Sequence, residues 1–303
     1  MPRHRPGGLL RKLLVTLLLG AIFNPCSALS SAVIVVTDDA GQKIQLNQPA
    51  ERIVSIAPFL TELLFDVGAG KSIVGTVEFS DYPQKANDIP RIGASHRLDL
   101  EALLALKPDL IVAWGSGNSR ELISQLRGMK FTVYVSEPRA LEDIPRTLER
   151  LGQLAGTESA AMAAGANFRS IHSNLKQKYS GSSTVRMFYQ IWEQPLMTVN
   201  DNHVINDVIQ LCGGKNVFGK LDQLTPVIDV EAVLKEDPVA IVAGGMGEAS
   251  GEWLCAWRAW PQLTAVKQDN LFFIPPSLLQ RHTPRILQGA EQLCAALDQV
   301  RKR

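Results

Sequence analysis

The stretch Leu100-Glu-Ala-Leu-Leu-Ala-Leu-Lys-Pro-Asp-Leu-Ile-Val-Ala113 is written twice in this chain. Its second copy is Val230-Glu-Ala-Val-Leu-Lys-Glu-Asp-Pro-Val-Ala-Ile-Val-Ala243, and the two align without a gap. Glu101 falls on Glu231, Ala102 on Ala232, Leu104 on Leu234, Pro108 on Pro238, and Ile111-Val112-Ala113 on Ile241-Val242-Ala243. Each copy reads as the last turns of a helix, a proline stop, and a buried strand of β-branched and small residues. Such a helix-to-strand unit belongs to an α/β layer. Ordinary α/β units share composition by chance. Two in register, each with room for further strands and helices, predict two similar lobes. The pair also puts a glutamate at one equivalent place in each half.

Working outward, 303 residues are long for one core and comfortable for two domains. The composition is globular, with no low-complexity tract. Arg3, Arg5, Arg11 and Lys12 form a basic start, Leu13 to Phe23 an apolar run, and Cys26-Ser27-Ala28 a small-residue cleavage site. This is the pattern of a secretory signal peptide over residues 1–28; the apolar run is too short to span a bilayer. Cys26 also raises a lipoprotein signal, against which Phe23-Asn24-Pro25 is a poor lead-in. Cleavage removes four of 31 basic residues and none of the 30 acidic ones, leaving 27 basic against 30 acidic. Nothing basic is clustered enough for nucleic acid. Cys212, Cys255 and Cys294 remain, so export permits one disulfide and leaves one thiol over. Neither C-x-x-C nor zinc-type spacing occurs.

Val33 to Leu46 predicts a hairpin around Asp38-Asp-Ala-Gly41. Arg52 to Ala57 predicts a buried strand stopped by Pro58, with Thr61 as N-cap of a helix ending at Gly68. Ser72 to Val77 is the next strand, followed by loops over Glu78–Pro83 and Pro90–Arg97. A helix from Ser119 carries Leu122, Ile123 and Leu126 on one face. Phe131–Val135 as a strand and Leu141–Leu154 as a helix complete a first lobe. Residues 158–179 contain no proline and one glycine, and predict a helix long enough to be a rod between lobes. The second lobe predicts a strand over Val185–Ile191, a turn at Glu193-Gln-Pro195 and a helix from Val204 to Gly213-Gly214. After the second repeat copy come a glycine loop, a strand over Leu271–Ile274 and a helix from Pro284 to the end.

Gly245-Met-Gly-Glu-Ala-Ser-Gly251 follows a strand, but its spacing is one residue too long for a dinucleotide fingerprint, so a flexible loop is the expectation. Nucleophile-elbow and P-loop patterns are absent. His96, His203 and His282 sit in or beside predicted loops, where three convergent imidazoles would make a metal site and separate ones merely hydrogen-bond. Trp253, Trp257 and Trp260 recur at helical spacing, as core residues do. Trp114 differs, because it ends a strand of the first lobe, where ligands of open α/β sheets lie. There it either packs under the loop or stacks on a flat ligand. Glu101 and Glu231 each lie near a helix start, where the dipole alone favours a carboxylate. An exported two-lobed binder delivering to a dimeric membrane protein would also carry such a pair.

Several stretches together resemble the periplasmic substrate-binding proteins of ABC importers for cobalamin and ferric siderophores, above all the cobalamin-binding branch. They are Ile53-Val-Ser-Ile-Ala-Pro-Phe-Leu-Thr-Glu-Leu63, Phe79-Ser-Asp-Tyr-Pro83, Asp99 to Trp114, Cys212-Gly-Gly-Lys-Asn-Val-Phe218, Pro284-Arg-Ile286 and Gln292-Leu-Cys294. The resemblance implies two Rossmann-like α/β lobes joined by a single long helix, the ligand lying in the cleft between them. The implied divisions are 29–155, 156–180 for the helix, and 181–303. It implies no enzymatic activity and no cofactor. The cargo is a cobalamin or related corrinoid; a siderophore, a haem or a metal ion held by the loop histidines are the alternatives. The implied ligand contacts are Pro58, Phe59, Phe79, Trp114, Trp192, Thr225, Gln280 and Arg281. Glu101 and Glu231 match the glutamates that meet arginines on the importer's membrane-subunit dimer, which works with its ATPase subunits; the binding protein itself is a monomer in the periplasm. Cys212 and Cys294 match a disulfide, leaving Cys255 unpaired. Phe79 stands where that branch has tyrosine, Ser95 and Thr225 where it has tryptophans, and Gln280 where it has an acidic residue.

Overall fold

The computed structural model describes residues 33–244 and 251–303. The signal-peptide reading, Cys26 and most of the glycine loop (residues 245–250) lie outside the described residues.

An antiparallel hairpin opens the chain, β1 (Ile34–Thr37) against β2 (Lys43–Leu46). Then come β3 (Ile53–Ser55), α1 (Pro58–Asp66) and β4 (Ile73–Gly75). Pro58 does not stop a strand and leave Thr61 to cap a helix: it is the first helical residue itself, where its missing N–H costs nothing. Thr61 is buried inside α1, and its hydroxyl joins a cluster with Ser55, Thr76 and Ser80. The segment expected as a plain loop at Pro90–Arg97 carries a small antiparallel pair, β5 (Gly93–Ala94) and β6 (Arg97–Leu98).

The first repeat copy follows as α2 (Leu100–Leu106) and β7 (Leu110–Trp114). After it come α3 (Arg120–Gly128), β8 (Val133–Ser136), α4 (Asp143–Ala155) and α5 (Glu158–Tyr179). Ser119 caps α3, which buries Leu122, Ile123 and Leu126 as its spacing predicts. The second half repeats the scheme with β9 (Val185–Gln190), α6 (Val204–Leu211), β10 (Gly214–Asn216), α7 (Val230–Glu236) and β11 (Ala240–Ala243). It ends with α8 (Glu252–Trp257), α9 (Thr264–Lys267), β12 (Leu271–Phe273), α10 (Pro276–Leu279) and α11 (Ile286–Lys302).

Two four-stranded sheets result, ordered β4-β3-β7-β8 and β10-β9-β11-β12, every pair parallel. Counted within each sheet in chain order, both orders are second-first-third-fourth. The sequence repeat is thus a repeat of topology, and its symmetry extends to single atoms. Asp99 and Asp229 cap the two repeat helices, accepting from Ala102 N and Ala232 N respectively. Lys107 and Asp237 end them in the left-handed region, each immediately before a proline. Arg52, just before β3, donates to Leu106 O at the end of α2 (2.6 Å). Arg186 in β9 donates to Glu236 O at the end of α7 (2.9 Å), the equivalent carbonyl. Each arginine satisfies one of the orphan acceptors that a helix terminus leaves.

Two apolar clusters back the separate sheets, one around Val54, Leu103 and Ile111, the other around Phe188, Val233 and Ile241. A third runs through both halves by way of α5, whose Ala161, Gly165, Phe168, Leu175 and Tyr179 form its inward stripe. α5 packs along α4 and also meets α1, α6 and α11. A Cβ on Gly152 of α4 would come within 2.3 Å of Ala161 Cβ, so only glycine permits this crossing. A disulfide joins Cys212, after α6, to Cys294 in α11, and Cys255 is a free, exposed thiol.

Candidate functional site

Four of the rings that the sequence singled out, Phe59, Trp114, His203 and His282, meet where the two halves face each other. Phe59, near the start of α1, lies edge-on to Trp114 at the end of β7, with centroids 5.6 Å apart. His282, from the second half, completes the group at 5.3 Å from Phe59 and 5.6 Å from Trp114. His203, at the N-cap of α6, stands 5.8 Å behind His282. Edge-to-face packing of this kind suits the quadrupoles of aromatic rings.

Local sequence places Trp114. Its backbone N–H donates to Asn118 Oδ1 (2.6 Å). The Asn118 amide donates in turn to Ile56 O and Ser95 O, so one buried side chain ties β3, the β5–β6 turn and Trp114 together. A Cβ on Gly117 would lie 1.8 Å from the Trp114 ring, so this glycine is the floor on which the indole rests. The indole Nε1 and His282 Nδ1 are buried without a protein hydrogen-bond partner.

Both histidines are neutral at ordinary pH. Burial brings His282 down to about 4; burial, then the neighbouring His282 and Arg139, bring His203 to about 3. His203 Nδ1 accepts from Ile205 N and so serves as a helix cap. His96 sits in the β5–β6 turn. Among the described residues no group of three or more His, Cys, Asp or Glu is arranged to hold a metal ion.

Phe79 and Arg281 are also brought together. Arg281 Nη2 donates to Phe79 O (3.1 Å) across the halves, and the Phe79 ring is 76% exposed on a backbone with φ +63°. Pro58 is half-buried beside Phe59. Gln280 follows α10 and donates to Ile191 O (3.3 Å), one residue before Trp192. Trp192 is exposed, donates through Nε1 to Gln194 O, and lies edge-on to Trp253 at 5.7 Å; it belongs to a second aromatic group rather than to the Phe59 cluster. Thr225 lies between Leu224 and Pro226, whose carbonyls accept from Asn200 and Thr198. Trp253 and Trp257 are buried as core residues, while Trp260 falls beyond the end of α8. A cavity of about 590 Å³ beside β10, lined by Thr184, Arg186, Asn206, Lys215 and Lys220, includes none of these residues.

Sequence reading missed Glu62, Arg285 and Thr283 as partners, and it named His203 and His282 as loop histidines without their place against Phe59 and Trp114. The first three form a buried ionic group between α1 and the segment before α11. No local signal marks such a contact, since its members stand more than two hundred residues apart. Glu101 and Glu231 are exposed in the first turns of α2 and α7. Among the described residues no helix is long and apolar enough to cross a membrane.

The vitamin B12-binding protein of Vibrio cholerae serotype O1 is 35% identical over 255 residues, which are 84% of this chain and 91% of that protein. The crystal structure of the periplasmic vitamin B12 binding protein BtuF of Vibrio cholerae superposes with a TM-score of 0.78 at 34% identity, over 84% of this chain and 99% of that one. The periplasmic heme-binding protein RhuT of Roseiflexus sp. RS-1, 19% identical, shares the fold with a TM-score of 0.73 over 83% of this chain and 99% of its own. The family model for periplasmic binding proteins matches residues 53–278, a span that takes in both parallel sheets, the connecting helix, Phe59 and Trp114. This chain belongs to the periplasmic binding protein family.

Proposed function

We propose that this protein captures a corrinoid between its two lobes and delivers it to an ABC importer in the inner membrane. The observation that carries the reading is the ring group of Phe59, Trp114 and His282, contributed by both halves and flanked by the exposed Phe79. A neutral, largely apolar floor with one projecting ring suits a flat macrocycle better than a small hydrated ion. Relatives at 30–35% identity that bind vitamin B12 support a corrinoid as that macrocycle. In this reading Pro58, Phe59, Phe79, Trp114 and Arg281 are the principal contacts, with Trp192, Thr225 and Gln280 at the edge. The lobes are residues 29–155 and 181–303, and 156–180 is the helix between them. Residues 1–28 direct the chain to the periplasm.

Glu101 and Glu231 are the docking pair. They stand at equivalent positions on two lobes of equal topology, so a membrane dimer with two-fold symmetry can meet each with an arginine. The visible spectrum of the exported protein, purified from cells grown with cobalamin, tests the reading. Corrinoid bands that stay with the protein through gel filtration support it. A haem Soret band in their place, or protein colourless at every cobalamin concentration, contradicts it.

A further inference from the structure

Glu62 is fully buried in α1, yet its carboxylate is held by Thr283 and Arg285 from the other half of the molecule. Oε1 accepts from Thr283 Oγ1 and Arg285 Nε, both at 2.7 Å, and Oε2 accepts from Arg285 Nη2 at 2.8 Å. Arg281 Nη1 stands 3.8 Å from Oε2, and its Nη2 reaches Asp81 Oδ1 (2.7 Å) and Phe79 O (3.1 Å). The Arg285 guanidinium lies 3.8 Å over the Tyr82 ring. Two carboxylates thus face two guanidiniums, and beside them the Asp66 carboxyl is pushed up to about 7 by burial and then by Glu62, against the pull of Arg285. The group runs from α1 to the segment before α11 and back to the loop that carries Phe79.

A buried ion pair seldom stabilises a fold more than apolar packing of the same volume would, so its value here lies in fixing geometry. The end of the network is the telling part. Phe79 holds a left-handed backbone that a bulky side chain avoids, and such a conformation persists only where the surroundings impose it. Arg281 holds the Phe79 carbonyl, Arg91 Nη2 holds the next one, Ser80 O (2.8 Å), and Glu62 stands against the segment that carries Arg281.

We propose that Glu62 is a positioning residue for ligand capture: through Arg285, Thr283 and Arg281 it holds the Phe79 ring out at the mouth of the interlobe site. The proposal rests on the interlobe reading above, and its ligand arm uses cyanocobalamin as probe.

Two measurements test it. In the protein without ligand, hydrogen exchange of the peptide covering residues 78–83 should rise about tenfold in Glu62→Gln, while peptides of β9 and β11 stay protected. Asp81→Asn removes one exposed partner of Arg281 and should shift the same peptide in the same direction. In the second measurement, Glu62→Gln should weaken cyanocobalamin binding about tenfold with Phe79 present and less than about twofold in a Phe79→Ala background. A merely structural role predicts equal losses in both backgrounds, and that result overturns the proposal, as does unchanged exchange over 78–83. If Glu62→Gln does not fold, Asp81→Asn enters the same cycle with the same criterion. If the wild type binds no cyanocobalamin, the corrinoid reading falls alone, and the exchange result decides whether Glu62 holds the loop.

Discussion

At the scale of single residues, the site is a set of rings held by buried polar groups. Trp114 is fixed from below by Gly117 and from its backbone by Asn118, so its ring is in place before any ligand arrives. Trp114→Ala should weaken corrinoid binding by about 1–3 kcal/mol, read by calorimetry, with little change in the far-ultraviolet spectrum. His282 adds a pH dependence whose sign follows from its burial. Folded, it titrates at about 4; unfolded, near the ordinary histidine value of 6.5. Between these values the unfolded chain binds more protons, so this contribution to stability is complete above about 6.5 and declines as pH falls toward 4. The loss is on the order of 3 kcal/mol at pH 4, before any share from His203. Urea titrations of wild type and His282→Phe at pH 7 and pH 4.5 should show a smaller acid loss in the variant. An equal loss in both would assign the acid sensitivity to other groups.

At the scale of elements, the repeat helices and strands were legible because their signals are local. An apolar periodicity, a proline and a β-branched run lie within fourteen residues of one another in each copy. The 22 residues of α5 were legible for the same reason, an uninterrupted helical composition. The two-residue strands β5 and β6 were not, because pairing with each other, rather than propensity, defines them. Thr61 misled because its hydroxyl answers Ser55, Thr76 and Ser80 in the tertiary structure instead of capping a helix. The mirrored arginines, Arg52 and Arg186, were beyond sequence reading, since each closes a helix some fifty residues away. Of the candidate site, Phe59 with Trp114 and Phe79 with Arg281 came together, whereas the two histidines behind them belong to the cluster through packing alone. The disulfide pins α6 to α11 across a separation of 82 residues. Cys294→Ser should lower stability by about 2–4 kcal/mol in denaturant melts. Cys255 should be alkylated in the native protein while Cys212 and Cys294 are recovered as one linked peptide pair. A linked peptide containing Cys255 would refute the pairing.

At the scale of the whole molecule, two lobes of equal topology are joined in three ways: the apolar cluster along α5, the Glu62 ionic group and the ring cluster of Phe59, Trp114 and His282. Joined so, the two halves hold the ring cluster in place by themselves, which in the proposed reading lowers the ordering cost of binding. The equal topology also sets Glu101 and Glu231 at equivalent positions, which in the proposed reading meet a two-fold partner. Replacing both with arginine should leave the melting curve and ligand affinity nearly unchanged and abolish uptake, because like charges would then meet on both lobes. A double variant that loses its ligand in vitro but still docks would put the glutamates in the binding cleft. The central claim is capture of a corrinoid between the lobes, and isothermal titration of cyanocobalamin into the exported wild-type protein tests it most directly. The account predicts saturable binding of one corrinoid per chain, weakened by Trp114→Ala. Absence of binding to cyanocobalamin and cobinamide, with saturable binding of haem or a ferric siderophore to the same protein, would contradict it.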